Sequence, residues 1–123
     1  MKKTTIVIAG GGTGGHLYPG IAIAEELKKQ LDDVEVIFMG AERGIEARIL
    51  PGEKYYVKLF KMEGFVGVSL GRKVVALYRF MMAFFKAYAF LRGLRPGIVI
   101  GTGGYASFIP VLAAILQGHK RLY

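Results

Sequence analysis

Five glycines fill six positions in Gly10-Gly11-Gly12-Thr13-Gly14-Gly15, and His16 follows them directly. Without side chains in the way, such a backbone comes close to a ligand. Its N–H groups, with the first turn of a following helix, suit a phosphate or diphosphate. The same glycines would also serve a tight turn whose small residues let a helix pack closely. His16 supplies an imidazole that would act as a general base or donate a hydrogen bond to a phosphate, with helix capping as its plainer alternative.

A second cluster, Gly101-Thr102-Gly103-Gly104-Tyr105-Ala106-Ser107, offers a flexible backbone, a phenol and a hydroxyl. These groups suit hydrogen bonds to a sugar or a diphosphate, while Tyr105 would serve equally as an aromatic packed on a sheet edge. His119, the other histidine, carries no assigned role.

The letters test rival phosphate motifs. A Walker loop ends in Gly-Lys-Ser/Thr, and Gly15 is followed by His16-Leu17, so that chemistry is excluded. Gly10, Gly12 and Gly15 do satisfy the G-x-G-x-x-G spacing of dinucleotide-binding folds. The acidic partner expected about 20 residues on would then be Glu42, and a dinucleotide-binding module stays open as an alternative.

Both clusters need a strand before them and a helix behind. Thr5 to Ala9 is a β-branched apolar run of the kind that forms a strand buried on both faces of a parallel sheet. Pro19 opens a helical pattern with Ile21, Ile23, Ala24 and Leu27 on one face. Val34 to Met39 reads as a second strand, Ala41 to Leu50 as a short helix stopped by Pro51-Gly52, and Tyr55 to Phe60 as a third strand. Gly64, Gly67 and Gly71 punctuate a connection, and a long helix runs from Arg72 to Arg92, broken at Gly93 and Pro96. Ile98 to Ile100 is a fourth strand, Gly101 to Ser107 a loop, and Ile109 to Gln117 a helix stopped by Gly118. Lys120 to Tyr123 resembles the start of a further strand. Strands alternating with helices predict an α/β, Rossmann-like, doubly wound parallel sheet, with both glycine loops at its carboxyl edge.

At 123 residues the chain has the length of one domain, 1–123, and its 53% hydrophobic content suffices for one core. The absence of cysteine excludes disulfides and thiolate metal sites and is compatible with a reducing cytoplasm. The opening residues are too short and too early in glycine to form a signal peptide.

The net charge of +8 is unevenly spread. All nine acidic residues lie within the first 63 positions, where nine Lys and Arg balance them. Arg72, Lys73, Arg79, Lys86, Arg92, Arg95, Lys120 and Arg121 therefore carry the whole excess, which suits an anionic partner. Arg72, Arg79 and Lys86 recur every seven residues and share one stripe of the long helix, leaving its other faces almost wholly apolar. Arg79 and Lys86 argue against a membrane-spanning helix. The apolar arc is wider than packing on a sheet requires, so the surplus is expected to meet a membrane surface, against the alternative of a helix sandwiched between two layers. Basic residues interleaved with Met and Phe, with no recognised motif, argue against nucleic acid.

Gly11 to His16 followed by Pro19-Gly20 and Ala22-Ile23-Ala24 closely resembles the first glycine loop of the MurG-type family of glycosyltransferases. Gly101 to Ser107, with Pro110 and Ala113-Ala114, resembles that family's second loop, and Gly40 with Gly44-Ile45-Glu46 fits the segment after its second strand. The resemblance spans nearly the whole chain. It implies the N-terminal lobe of a GT-B type fold, two Rossmann-like lobes with a cleft between them. In that family the N-terminal lobe is associated with undecaprenyl-diphospho-N-acetylmuramoyl-pentapeptide as acceptor, and the C-terminal lobe with UDP-N-acetylglucosamine as donor. Transfer inverts the sugar carbon, with no cofactor and no metal in the transfer step.

Carried over by motif, His16 is the candidate base or acceptor contact. Gly12, Thr13, Gly14, Gly15, Gly103, Gly104, Tyr105 and Ser107 are candidate acceptor and diphosphate contacts. The family's membrane-associating patch falls near Arg72, Lys73, Leu77, Arg79, Phe80, Phe84 and Lys86, implying a peripheral protein at the cytoplasmic face of the bacterial plasma membrane. Two departures stand out. Pro96 is followed by Gly97 where the family commonly has Asp, and the family's His-Glu-Gln-Asn segment and donor lobe are not in this sequence. The chain is therefore expected to need a donor lobe for catalysis, either as part of a longer protein or as a non-catalytic, membrane-recruiting subunit of a split enzyme.

Overall fold

The computed structural model describes residues 4–10, 14–42, 44, 46–53, 55–60, 70–118 and 121–122. Five parallel strands form one sheet: β1 Thr4–Gly10, β2 Val34–Ala41, β3 Tyr56–Phe60, β4 Ile98–Gly103 and β5 Arg121–Leu122. Between them lie helices α1 Gly14–Gln30, α2 Glu46–Ile49 with a 3-10 turn at Leu50–Glu53, α3 Leu70–Leu94 and α4 Tyr105–Gln117. The doubly wound α/β arrangement expected from the sequence is the one observed.

Strand order is β3-β2-β1-β4-β5, so the chain winds outward one way from β1, then crosses to the other side at β4. Ligands in open α/β sheets bind beyond the carboxyl ends of the strands where the order reverses. Here that place is between β1 and β4.

Alternation along the strands divides the core. Ile6, Ile8, Val36, Phe38 and Ile100 pack with Leu17, Ile21 and Ala24 of α1 and with Leu50. Val7, Ala9, Met39, Phe60 and Val99 pack on the other face with Ala83, Ala87 and Leu91 of α3 and Ile109, Ala113 and Ala114 of α4. Both faces are covered, which is why the strands read as continuous apolar runs rather than alternating ones.

Several boundaries differ from those read in the sequence. α1 begins at Gly14 rather than Pro19, placing Pro19 inside the helix. Its missing N–H costs the bond that the Gly15 carbonyl would have accepted, one turn from the helix start. α3 passes through Gly93 and ends at Leu94, because packing along the sheet outweighs the modest helix cost of one glycine. Gly71 lies in α3 rather than in a connection, whereas Gly64 and Gly67 fall outside the described residues. β4 extends to Gly103 and α4 begins at Tyr105, so the second glycine loop shortens to a bend at Gly104. Gly97 donates its N–H to the Thr5 carbonyl at 2.8 Å, and a Cβ there would sit 3.3 Å from Thr4 Cγ2.

α3 packs in an unusual sense. Its buried positions are Ala76, Ala83, Ala87 and Leu91, while Tyr78 (65% exposed) and Phe85 (58%), with Val74, Val75, Leu77, Met81 and Met82, face outward. Alanine at three of these positions lets the helix approach the core closely, with Leu91 and the partly buried Phe80 and Phe84 on the same side. Among the described residues α3 is the one helix long and apolar enough to cross a bilayer, yet its alanines belong to the core of the domain.

Candidate functional site at the carboxyl edge

β1 and β4 pair directly, from Ile6 opposite Ile98 to Ala9 opposite Gly101, and then the register slips so that Gly10 faces Gly103. Thr102 is the extra residue, forming a bulge at the carboxyl end of β4. Bulges re-aim the chain where regular pairing ends, often beside binding sites. The Thr102 hydroxyl donates to the Ala9 carbonyl at 3.5 Å, tying the two strand ends together.

Close packing beneath this edge depends on absent side chains. A Cβ on Gly10 would collide with the Thr102 hydroxyl. A Cβ on Gly20, in α1, would lie 3.1 Å from Ile8 Cγ2, 3.4 Å from Phe38 Cε1 and 3.5 Å from Thr102 Cγ2. α1 therefore rests directly on the ends of β1 and β4, and its first turn is carried to the switch point.

The turn into α4 is made by Gly103 at φ 113° and Gly104 at φ 80°, ψ 172°. Side chains rarely adopt such angles, so glycine is required at both positions. Gly104 caps α4 without a side-chain hydrogen bond to the first turn, leaving that helix start dependent on other partners for its N–H groups.

The two units correspond. Each has a strand ending in glycine followed within a few residues by a helix, with a proline five residues after the first helical residue: Gly14 to Pro19 and Tyr105 to Pro110. Because β1 and β4 are neighbours, both helix starts follow adjacent strand ends. Two N-terminal turns, each equivalent to about half a positive charge, at adjacent strand ends would suit a diphosphate better than a single small anion.

The sequence-derived candidates fall as follows. Gly14 and Gly15 open α1 and the backbone of His16 is its third residue; Gly103, Gly104 and the backbone of Tyr105 form the facing turn. Gly12 and Thr13 lie outside the described residues. Ser107 is drawn into the domain, 6% exposed, with its N–H donating to the Gly104 carbonyl at 3.2 Å. Thr102 and Gly20, which hold the strand ends and α1 together beside these candidates, are residues to which sequence reasoning gave no role. A threonine set among strand-end glycines was the available signal.

The basic helix candidates divide in two. Arg72, Lys73, Leu77, Arg79 and Lys86 are exposed on α3. Phe80 and Phe84 instead pack partly buried against the core, with Phe80 6.1 Å from the Phe108 ring of α4. At 100° per residue these two stand on the alanine side of the helix, and Tyr78, Met81 and Phe85 take the outward positions assigned to them. Tyr78, Arg79, Met82 and Lys86 line a groove of about 250 Å³, which sets two cations beside apolar side chains.

Known proteins share this architecture and sequence. The family described as glycosyltransferase family 28 N-terminal domain matches residues 6–122. A curated UDP-N-acetylglucosamine–N-acetylmuramyl-(pentapeptide) pyrophosphoryl-undecaprenol N-acetylglucosamine transferase of Myxococcus xanthus is 46% identical over 113 residues, covering 92% of this chain and 30% of the relative. The protein of the same name from Thermodesulfovibrio yellowstonii is 43% identical, with 91% and 31% covered. Among solved structures, Acinetobacter baumannii MurG superposes with a TM-score of 0.79 at 30% identity, over 97% of this chain and 34% of that one. The chain thus spans about a third of the length of the curated relatives it matches.

Proposed function

From the premise that the chain belongs to the glycosyltransferase family 28 N-terminal domain, we propose that it is the acceptor-binding lobe of an inverting N-acetylglucosamine transferase. The acceptor is undecaprenyl-diphospho-N-acetylmuramoyl-pentapeptide. The donor, UDP-N-acetylglucosamine, binds mainly a second lobe that lies outside this chain, and transfer needs both lobes. The observation that supports this reading is that two helix starts and the Gly103-Gly104 turn follow the neighbouring ends of β1 and β4, at the switch point of the sheet. Such an edge suits the acceptor's diphosphate, and Gly14, Gly15, Gly103 and Gly104 supply backbone that a lipid-borne group could approach closely.

To His16, the third residue of α1, this reading assigns the role of base or of donor to the diphosphate. The balance of the step is simple: the acceptor hydroxyl loses its proton to a base as its oxygen bonds to the sugar carbon, and UDP leaves from the opposite face. No cofactor or metal enters that step.

The outward face of α3 gives the same reading a second support. Its exposed Tyr78, Met81 and Phe85, with Arg72, Lys73, Arg79 and Lys86, suit peripheral contact with an anionic membrane surface. That contact would hold the lobe at the cytoplasmic face of the plasma membrane, where a lipid-linked acceptor is found.

An NMR titration tests the site. A short-chain prenyl diphosphate is expected to shift the amides of Gly14, His16 and Tyr105. Shifts of those amides by NAD and not by the diphosphate would make the chain a dinucleotide-binding module instead.

A further inference from the structure

At the opposite edge of the sheet, α3 and α4 end side by side and flank an open, shallow cleft of about 510 Å³ lined by Tyr88, Arg92, Arg95, Pro96, Leu116 and Gln117. Six β4 residues separate this rim from the glycine turns, roughly 20 Å at strand rise, so it is not part of the carboxyl edge described above. We propose that this cleft binds a phosphate-bearing anion through Arg92 and Arg95, with a phospholipid headgroup as its natural source.

Three observations support it. First, the charge is in excess of what the fold needs. Basic residues at helix C-termini offset the dipole, but two converging termini contribute only about half a negative charge each, against two guanidinium charges. The cleft is left positive by about one charge, and no carboxylate is among the described residues that line it.

Second, Arg95 holds a costly backbone. It has φ 52°, the sole non-glycine residue with positive φ among those described, and donates its N–H to the Leu91 carbonyl at 2.9 Å as the residue that closes α3. Glycine is the usual occupant of such a position. An arginine kept there, immediately before Pro96, directs attention to its side chain rather than to the turn. Third, the cleft is braced: Gln117 Nε2 donates to the Tyr88 carbonyl at 2.6 Å, locking α4 to α3 behind the two arginines. Arg92 also continues the outward stripe of Tyr78 and Phe85 at seven-residue spacing, so the cleft lies where the apolar face of α3 ends.

The lipid source rests on the reading of α3 as membrane-facing, but the binding test does not. Dihexanoyl phosphatidylglycerol, soluble below its micelle concentration, and inorganic phosphate are titrated separately into the chain while the Gln117 side-chain amide and the Arg95 Nε–H are followed by NMR. Saturable shifts with the lipid are expected, and Arg92→Ala or Arg95→Gly should weaken them about tenfold, the loss of one charge-assisted hydrogen bond. Arg95→Gly should meanwhile raise the unfolding midpoint, because glycine relieves the positive φ, so weaker binding cannot be ascribed to a damaged fold. Equal affinity for inorganic phosphate would keep the anion site but overturn the headgroup as its source. Absence of shifts with either probe, or shifts that both variants leave unchanged, would overturn the proposal. Failure of the chain to sediment with anionic vesicles would sink the membrane reading of α3 while leaving the soluble-probe result to stand or fall by itself.

Discussion

The carboxyl edge of the sheet and the outward face of α3 are built on opposite plans. The carboxyl edge is built on missing atoms: Gly10 and Gly20 let β1, β4 and α1 touch, and Gly103 and Gly104 turn the chain through angles rarely open to other residues. The outward face of α3 is built on atoms that the described core does not use. Tyr78, Met81 and Phe85 stand outside the core, and alanines do the packing beneath them. Addition should therefore damage the first region and deletion the second.

That contrast sets the order of expected effects. Leu91→Ala is the reference for a true α3 core position, fully buried, and should lower unfolding free energy by about 2–5 kcal/mol in urea melts. Gly20→Val should cost about 1–3 kcal/mol by overpacking against Ile8 and Phe38, and its loss of diphosphate binding should follow from displacement of α1. Gly104→Ala should cost about 1–2 kcal/mol for forcing a side chain to positive φ, with diphosphate affinity falling in the same NMR titration. Phe85→Ser should change stability by less than about 0.5 kcal/mol yet weaken sedimentation with anionic vesicles. Arg79→Glu should weaken it too, and added salt should reduce binding by the parent chain. A loss of stability in Phe85→Ser as large as that in Leu91→Ala would end the contrast, since it would mean that the outward face of α3 is packed in solution.

The small 250 Å³ groove sharpens the α3 side of the comparison. Arg79 and Lys86 line it together with Tyr78, Met82 and the buried Ala83, so apolar and cationic groups lie side by side there. The carboxyl edge offers backbone N–H groups and helix starts instead. One region would read a diphosphate and the other the surface that carries it.

Much of this was legible in the letters because the signals are local. A β-branched run followed by five glycines can scarcely be other than a buried strand entering a turn, and the second glycine cluster repeats the pattern. The excess of cations after position 63 and the seven-residue spacing of Arg72, Arg79 and Lys86 likewise needed no coordinates. The helix starts were less legible. Pro19 reads as a first-turn residue by its own preference, but the glycines before it accept helical angles once packed against the sheet, and α1 gains five residues at its start. Phe80 and Phe84 read as surface because aromatic residues surround them on every side of the pattern. Only the packing of Ala83 and Ala87 on the sheet shows which side is inward.

Taken alone, the sequence determined that the chain alternates strands and helices, that two strand ends are stripped of side chains, and that its second half is basic and apolar together. These follow from residue type and short-range spacing. Tertiary structure decided that β1 and β4 are neighbours, that Thr102 bulges to join them, which face of α3 is left without a layer over it, and that Arg92 and Arg95 meet Gln117 across a cleft. Each of those depends on contacts between residues far apart in the chain, whose free energies are set by sheet order and close packing and leave little trace in local composition.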